Sequence, residues 1–197
     1  MRFKLNVMAG GYFEDVRFEG NDFTAKPLAV GVYEGCSFTN CNFADANISL
    51  IQFIDCVFRS CNLSMVKVGN TTFNGVEFDE CKILGVNFET SNMSLFKPSF
   101  TRSVLNYSSF YKCNLKKARF PDCVFHESDF TETDLTEAAF INCDLLNAKF
   151  ERSVLEKADF RSAINYSIDP ELNKIKRAKF SFPAAAGLLD KYDITID

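Results

Sequence analysis

The side chains best equipped for chemistry in this 197-residue chain are eight cysteines and one histidine, His126. A lone histidine excludes a histidine-rich metal centre and leaves any serine or cysteine nucleophile a single possible base. The cysteines are Cys36, Cys41, Cys56, Cys61, Cys81, Cys113, Cys123 and Cys143, and the pairs 36/41 and 56/61 repeat a spacing of five. An even number suits disulfides in an oxidising compartment, and zinc ligands usually sit about two to four residues apart. A spacing of five points instead to a period that runs through most of the chain.

Stepping by five from Phe3 through Met8, Phe13 and Phe18 to Met93 meets nineteen apolar or aromatic residues. After a slip of two, a second series from Phe100 to Phe160 meets thirteen, all Phe or Leu. The position two residues before each centre of the second series is small in twelve of thirteen cases, Pro98 being the exception. Residues two apart in an extended segment share a face, so each five-residue unit turns one large and one small side chain inward. A corner must then follow every short strand. All eight cysteines occupy the small inward position, where a thiol packs as a small hydrophobe. They are expected as reduced packing groups, with 41, 61 and 81 in one stack and 123 and 143 in another. A zinc cluster or a disulfide ladder is the weaker alternative.

The units follow A-(D/N)-L-x-x, with Cys-Asn-Phe at 41–43, Cys-Asn-Leu at 61–63, Thr-Asp-Leu at 133–135 and Ala-Asp-Phe at 158–160. Over about residues 3–162 the chain resembles pentapeptide-repeat proteins. The resemblance implies an all-β solenoid: a right-handed quadrilateral β-helix with four pentapeptides per coil, about eight coils, and a short C-terminal helical cap. Coils spaced like paired strands give a rod about 38 Å long with a solid core. The domain division expected is a β-helix over 1–162 and a capping and dimerisation segment over 163–197.

Two segments break the rule. Between Phe88 and Phe100 two extra residues interrupt the register, and such insertions bulge outward, which would expose Phe96 and Lys97. After Phe160 the five-residue rule is read as ending. Pro183 followed by three Ala and Leu188-Leu189 reads as a short helix, and Ile194-Thr195-Ile196 as a final strand. The apolar tail residues Phe182, Leu188, Leu189, Ile194 and Ile196 exceed the needs of a polar lid, so the tail is expected to pair two chains as well as cap the rod.

With 26 acids against 22 bases the net charge is −4. The two adjacent faces centred on Phe13 and Phe18 carry Glu14, Asp15, Glu19, Glu34, Asp55, Glu77, Asp79, Glu80, Asp122, Asp134, Glu137, Glu156 and Asp159. Counted to residue 162, those thirteen acids face eight bases, a net of −5, while the other two faces are close to neutral. Among pentapeptide-repeat proteins, the Qnr, mycobacterial fluoroquinolone-resistance and microcin-immunity types imply a homodimer that imitates DNA and binds DNA gyrase or topoisomerase IV. The same resemblance implies possible protection from a fluoroquinolone or toxin, although the long side loops of the mobile resistance members are absent. The alternative is a structural interaction scaffold with an unrelated partner. No cofactor, metal or catalytic residue is expected, because a solid solenoid offers no pocket around His126. The basic patch Lys112 to Arg119 lacks an aromatic platform, so no direct nucleic-acid binding is expected. No run reaches the roughly 18 apolar residues of a membrane span and no signal peptide is read, so the expected location is cytoplasmic.

Overall fold

The computed structural model describes residues 10–195, so the expected centres Phe3 and Met8 and the tail residue Ile196 lie outside the described residues. Within them the chain is a β-solenoid of about 7 turns that matches a quadrilateral β-helix. We number the faces one to four after Phe13, Phe18, Phe23 and Leu28. On the first face the strands Gly11–Glu14, Gly31–Glu34, Gln52–Ile54 and Thr72–Asp79 pair in parallel with Phe13 opposite Tyr33, Tyr33 opposite Phe53 and Phe53 opposite Phe73. Beyond the insertion, most rungs are single bridges such as Asn114 to Asp134, Asp134 to Val154 and Val154 to Lys174.

Two local devices make the sequence turn every five residues. The second residue after most centres takes left-handed backbone, as at Asp15 (φ 54), Asn40 (φ 53), Asp55 (φ 51) and Gly75 (φ 67). Gly, Asn and Asp tolerate that conformation best, which explains their abundance at corners. The residue before each centre is often Asp or Asn because its side chain caps the turn. Asn47 Oδ1 accepts from the Ser49 N–H at 3.0 Å, and Asp129 Oδ1 from the Thr131 N–H at 2.8 Å.

The core follows from the coil spacing. On the second face Phe38 stacks on Phe58 at 4.6 Å and Phe140 on Phe160 at 4.8 Å, close to the strand separation that the backbone ladder imposes. Rings of different faces meet edge-on, Phe53 against Phe58 of the adjacent face at 77° and Phe130 against Phe140 of the opposite face at 89°, the arrangement aromatic quadrupoles prefer.

The insertion enlarges one coil. Phe78 pairs with Phe100 and Lys82 bridges Val104, with the register shift falling between Asn74 and Glu77. Residues Met93–Leu95 bulge from the first face as a 3-10 turn. Met93, expected inside, is 37% exposed, and Phe96, expected outside, is buried against Phe88 at 5.9 Å. The extra residues let the larger ring fill the core position that Met93 vacates. Lys97 is exposed as expected.

Cys41, Cys61, Cys81, Cys123 and Cys143 form one column on the third face, not two stacks, while Cys36 and Cys56 lie on the second face and Cys113 on the first. Cys41, Cys61 and Cys81 lie one coil apart, the Cys81 N–H donates to Ser103 Oγ at 3.0 Å, and the Val124 N–H beside Cys123 reaches the Ser103 carbonyl at 3.0 Å. The 22-residue coil carries the column through the slip, with Ser103 in the place a ninth cysteine would take. Each thiol in this stack from Cys61 to Cys81 donates to a carbonyl of the preceding coil, Cys61 to Phe38 at 3.3 Å and Cys81 to Phe58 at 3.4 Å.

The solenoid also continues past Phe160, which corrects the reading that the rule ends there. Lys174 and Lys179 bridge Val154 and Asp159, and Phe180 stacks on Phe160 at 5.4 Å. Five-residue steps from Phe160 pass Asn165 and Pro170 before reaching Ile175 and Phe180, so the two polar or turn-forming positions hide the continuing register. Pro183–Leu188 and Asp190–Tyr192 then form 3-10 helices. The Ile168 N–H donates to the Gly187 carbonyl at 2.9 Å, an approach so close that a Cβ on Gly187 would lie 2.0 Å from the Tyr166 oxygen. Leu188 packs against the core, whereas Leu189 and Ile194 are exposed and Phe182 is 95% exposed. No strand forms at Ile194 and Thr195, because left-handed Asp193 (φ 49) turns the chain and neither residue pairs with a coil edge.

An ion pair latches the cap. Lys191 Nζ lies 2.8 Å from Asp169 and 2.7 Å from Glu171, whose carboxylate also accepts from Tyr192 at 3.1 Å. The Lys191 hydrogen bonds hold both carboxyls below their ordinary range and push the ammonium up. Depressed carboxyl pKa values stabilise the fold above the unfolded values, near pH 4, and that contribution is lost as pH falls through the native ones. Lys191→Met is therefore expected to flatten the acid limb of cap stability, measured by hydrogen exchange of residues 183–192 between about pH 2 and 6. An unchanged acid limb would show that the latch contributes nothing.

Candidate partner-binding surface

The acids singled out from the sequence all lie on the outside of the first two faces, exposed or half-buried. Corner geometry accounts for Asp15, Asp55, Glu80, Asp122 and Glu137, which hold left-handed backbone. Asp134 and Asp159 serve turns, accepting from the Thr136 N–H at 2.9 Å and the Arg161 N–H at 3.2 Å. Others are neutralised across coils. Asp79 meets Arg59 at 3.4 Å and Arg102 at 2.5 Å, and Glu80 meets Arg102 at 3.2 Å. Glu137 meets Lys157 at 3.0 Å, and within a single coil Asp159 meets Arg161 at 2.7 Å. Among the described residues Glu14, Asp15, Glu19, Glu34, Asp55 and Glu77 make no ion pair. Glu34 accepts from the Tyr12 hydroxyl at 2.5 Å, and that bond pushes the phenol up to about 12.

The net of −5 expected for the two faces is not spread evenly along the rod. Lys97 pairs with Asn74 on the first face, and the last coil adds Lys174, Lys176, Arg177 and Lys179. Before the insertion these faces hold eight acids against Arg17 and Arg59, a net of −6. From Lys97 onward they hold five acids against eleven bases, a net of +6. The count of −5 stopped at residue 162 and missed the final coil. The pattern that exposes those bases is the five-residue step itself, carried across Asn165 and Pro170 to Ile175.

His126 sits on the third face with Nε2 2.8 Å from the Asp144 carboxylate, as an outward residue. Burial opposes ionisation of Asp144, but the close His126 ring and a hydrogen bond from Asn165 prevail and hold it below its ordinary range. All eight cysteines are buried free thiols, and among the described residues no three His, Cys, Asp or Glu side chains are grouped to hold a metal ion. Burial pushes the thiols of Cys56, Cys113, Cys123 and Cys143 up to about 12, so almost no thiolate exists at neutral pH. Native protein is expected to give no fast reaction with a thiol reagent at pH 8 and eight reactive thiols after unfolding, counted by intact mass. Fewer than eight would overturn the packing assignment. No described helix is long and apolar enough to cross a membrane.

A rigid rod with a stacked core, alternating outward side chains and charges segregated along two faces defines a repeat scaffold that presents a surface. A family model for the pentapeptide repeat region matches residues 33–97 and 93–167, and the chain belongs to that family. The fold is similar to trypsin-treated QnrB1, a plasmid-mediated fluoroquinolone resistance protein, with a TM-score of 0.55 and 22% identity over 95% of this chain and 92% of that one. It also matches HetL, a protein involved in heterocyst differentiation regulation from the cyanobacterium Nostoc sp. strain PCC 7120, at 12% identity, 86% coverage of both chains and a TM-score of 0.49. No curated protein matches the sequence.

Proposed function

We propose that this chain is a DNA-mimicking binding protein for a type II topoisomerase, DNA gyrase or topoisomerase IV, and that it engages the enzyme through the coils before the insertion. The observation that carries this reading is the net charge of −6 on the first two faces of those coils. Four coils span about 19 Å, and duplex DNA of that length bears about 11 charges, about half of them on one side. The acidic half thus matches DNA in charge density as well as sign, and would be steered toward a basic DNA-binding groove. Modulation of supercoiling, with protection from a fluoroquinolone or toxin as its consequence, follows from occupying that groove. The exposed tail residues Phe182, Leu189 and Ile194, with Leu188 and Ile196, are proposed to join two chains. A gyrase supercoiling titration at two salt concentrations, with and without a fluoroquinolone, tests the reading. Salt-sensitive inhibition or drug protection supports it, and no effect on either enzyme sinks it. The basic half favours a second reading, an interaction scaffold whose partner is unrelated to DNA enzymes and is captured regardless of gyrase.

A further inference from the structure

The separation of charge along the first two faces has a mate within the protein itself. A rigid polyanion laid along the rod would be attracted by the half after the insertion and repelled by the half before it, and a polycation the reverse. A second copy turned end for end satisfies both halves at once. At the edge shared by the two faces Asp15 and Asp55 stand on one side of the insertion, and Lys117, Glu137, Lys157 and Arg177 on the other, with Glu137 paired to both lysines, so the complementarity is carried by the two end coils. A two-fold axis through the insertion brings the first coil, with Glu14, Asp15 and Glu19, against the last. There Lys174, Lys176, Arg177 and Lys179 make no ion pair among the described residues. The same axis sets the coil of Glu77 opposite the coil of Lys116 and Arg119.

The centre of that surface mixes apolar side chains with lysines. Met93 and Leu95 are 37% and 43% exposed on the bulge, and beside them lies a groove of about 540 Å³ lined by Met93, Pro98 and Leu115 together with Lys97, Lys116 and Lys117. Exposed apolar side chains within a charged surface mark a contact patch, and a two-fold contact must use the same patch on both copies. We infer that this chain self-associates side by side and antiparallel through its first two faces, with opposite charges meeting across a two-fold axis at the insertion. The contact is distinct from the tail and independent of any topoisomerase.

Sedimentation of the full chain at about 50 mM and about 500 mM salt tests it, since exposed ion pairs are screened over that range. Association at low salt, weakened at least about tenfold at high salt, is expected. Reversal of Lys174, Lys176, Arg177 and Lys179 to Glu is expected to abolish it. Reversal of Glu14, Glu19, Glu34 and Glu77 to Lys is expected to do the same. An equimolar mixture of the two variants is expected to associate again, because the antiparallel pair then regains opposite charges at both ends. Phe182→Asp, which touches only the tail, is expected to leave low-salt association intact. A monomer at low salt, association insensitive to salt and lost in Phe182→Asp, or a variant mixture that stays monomeric would overturn the proposal. Preferential capture of a duplex DNA oligonucleotide by the wild-type basic half, in place of a second copy, would overturn it too.

Discussion

Phe140→Ala is expected to lower the unfolding free energy by about 3–5 kcal/mol, the loss that follows removal of a buried ring from a core that cannot close around the gap. The ring is fully buried and touches aromatic neighbours on its own face, the adjoining third face and the opposite fourth face. It lies 5.0 Å from Phe120, 4.8 Å from Phe160, 6.0 Å from Phe125 and 5.8 Å from Phe130. Collapse is prevented by the backbone, whose ladder fixes adjacent coils at about 4.8 Å. Because each coil contacts only its neighbours, the weakness should appear as a local opening that separates the coils on either side. Urea unfolding followed by circular dichroism and by hydrogen exchange measures both effects. Phe140→Leu, which keeps most of the volume, is expected to cost less than half as much; an equal loss would point to ring stacking and not cavity formation as the dominant energy.

Neutralising the unpaired acids of the first half is expected to weaken inhibition of the topoisomerase at least about 100-fold, since contacts with a basic groove depend on opposed charge. The suited variant combines Glu14→Gln, Asp15→Asn, Glu34→Gln, Asp55→Asn and Glu77→Gln. Asn keeps the tolerance for left-handed backbone that the corners at Asp15 and Asp55 require. The fold should therefore survive, as circular dichroism would show. Neutralising Asp79 and Glu80 instead is expected to matter less, because Arg59 and Arg102 already compensate them. Enzyme titration of both variants decides the matter. Equal potency of the five-site variant and the wild type would remove the acidic half from the interaction and leave the scaffold reading.

Much of the fold is legible in the chain because a five-residue period constrains every fifth side chain to the same environment. Phe38, Phe58, Phe78, Phe100, Phe120, Phe140 and Phe160 could be set on one column by counting, and the structure places them there. The small inward residues, cysteines included, follow from strand alternation. Counting fails where the period is interrupted. At the insertion, volume decides which side chain enters the core, so Phe96 displaces Met93. In the tail, Asn165 and Pro170 occupy centre positions, and only the bridges from Val154 to Lys174 and from Asp159 to Lys179 reveal another coil.

The sequence by itself determined the solenoid, its four faces and the inward or outward sense of nearly every side chain, since these depend on local period and backbone sterics. The tertiary structure alone decided how charges distant in sequence combine on one surface. Cross-coil pairing neutralises Asp79, Glu80 and Glu137. The last coil brings Lys174 to Lys179 onto the faces that begin with Glu14 and Asp15. Electrostatic character is a sum over neighbours in space, and a 22-residue coil followed by a continuing tail changes those neighbours without altering the five-residue rule on either side.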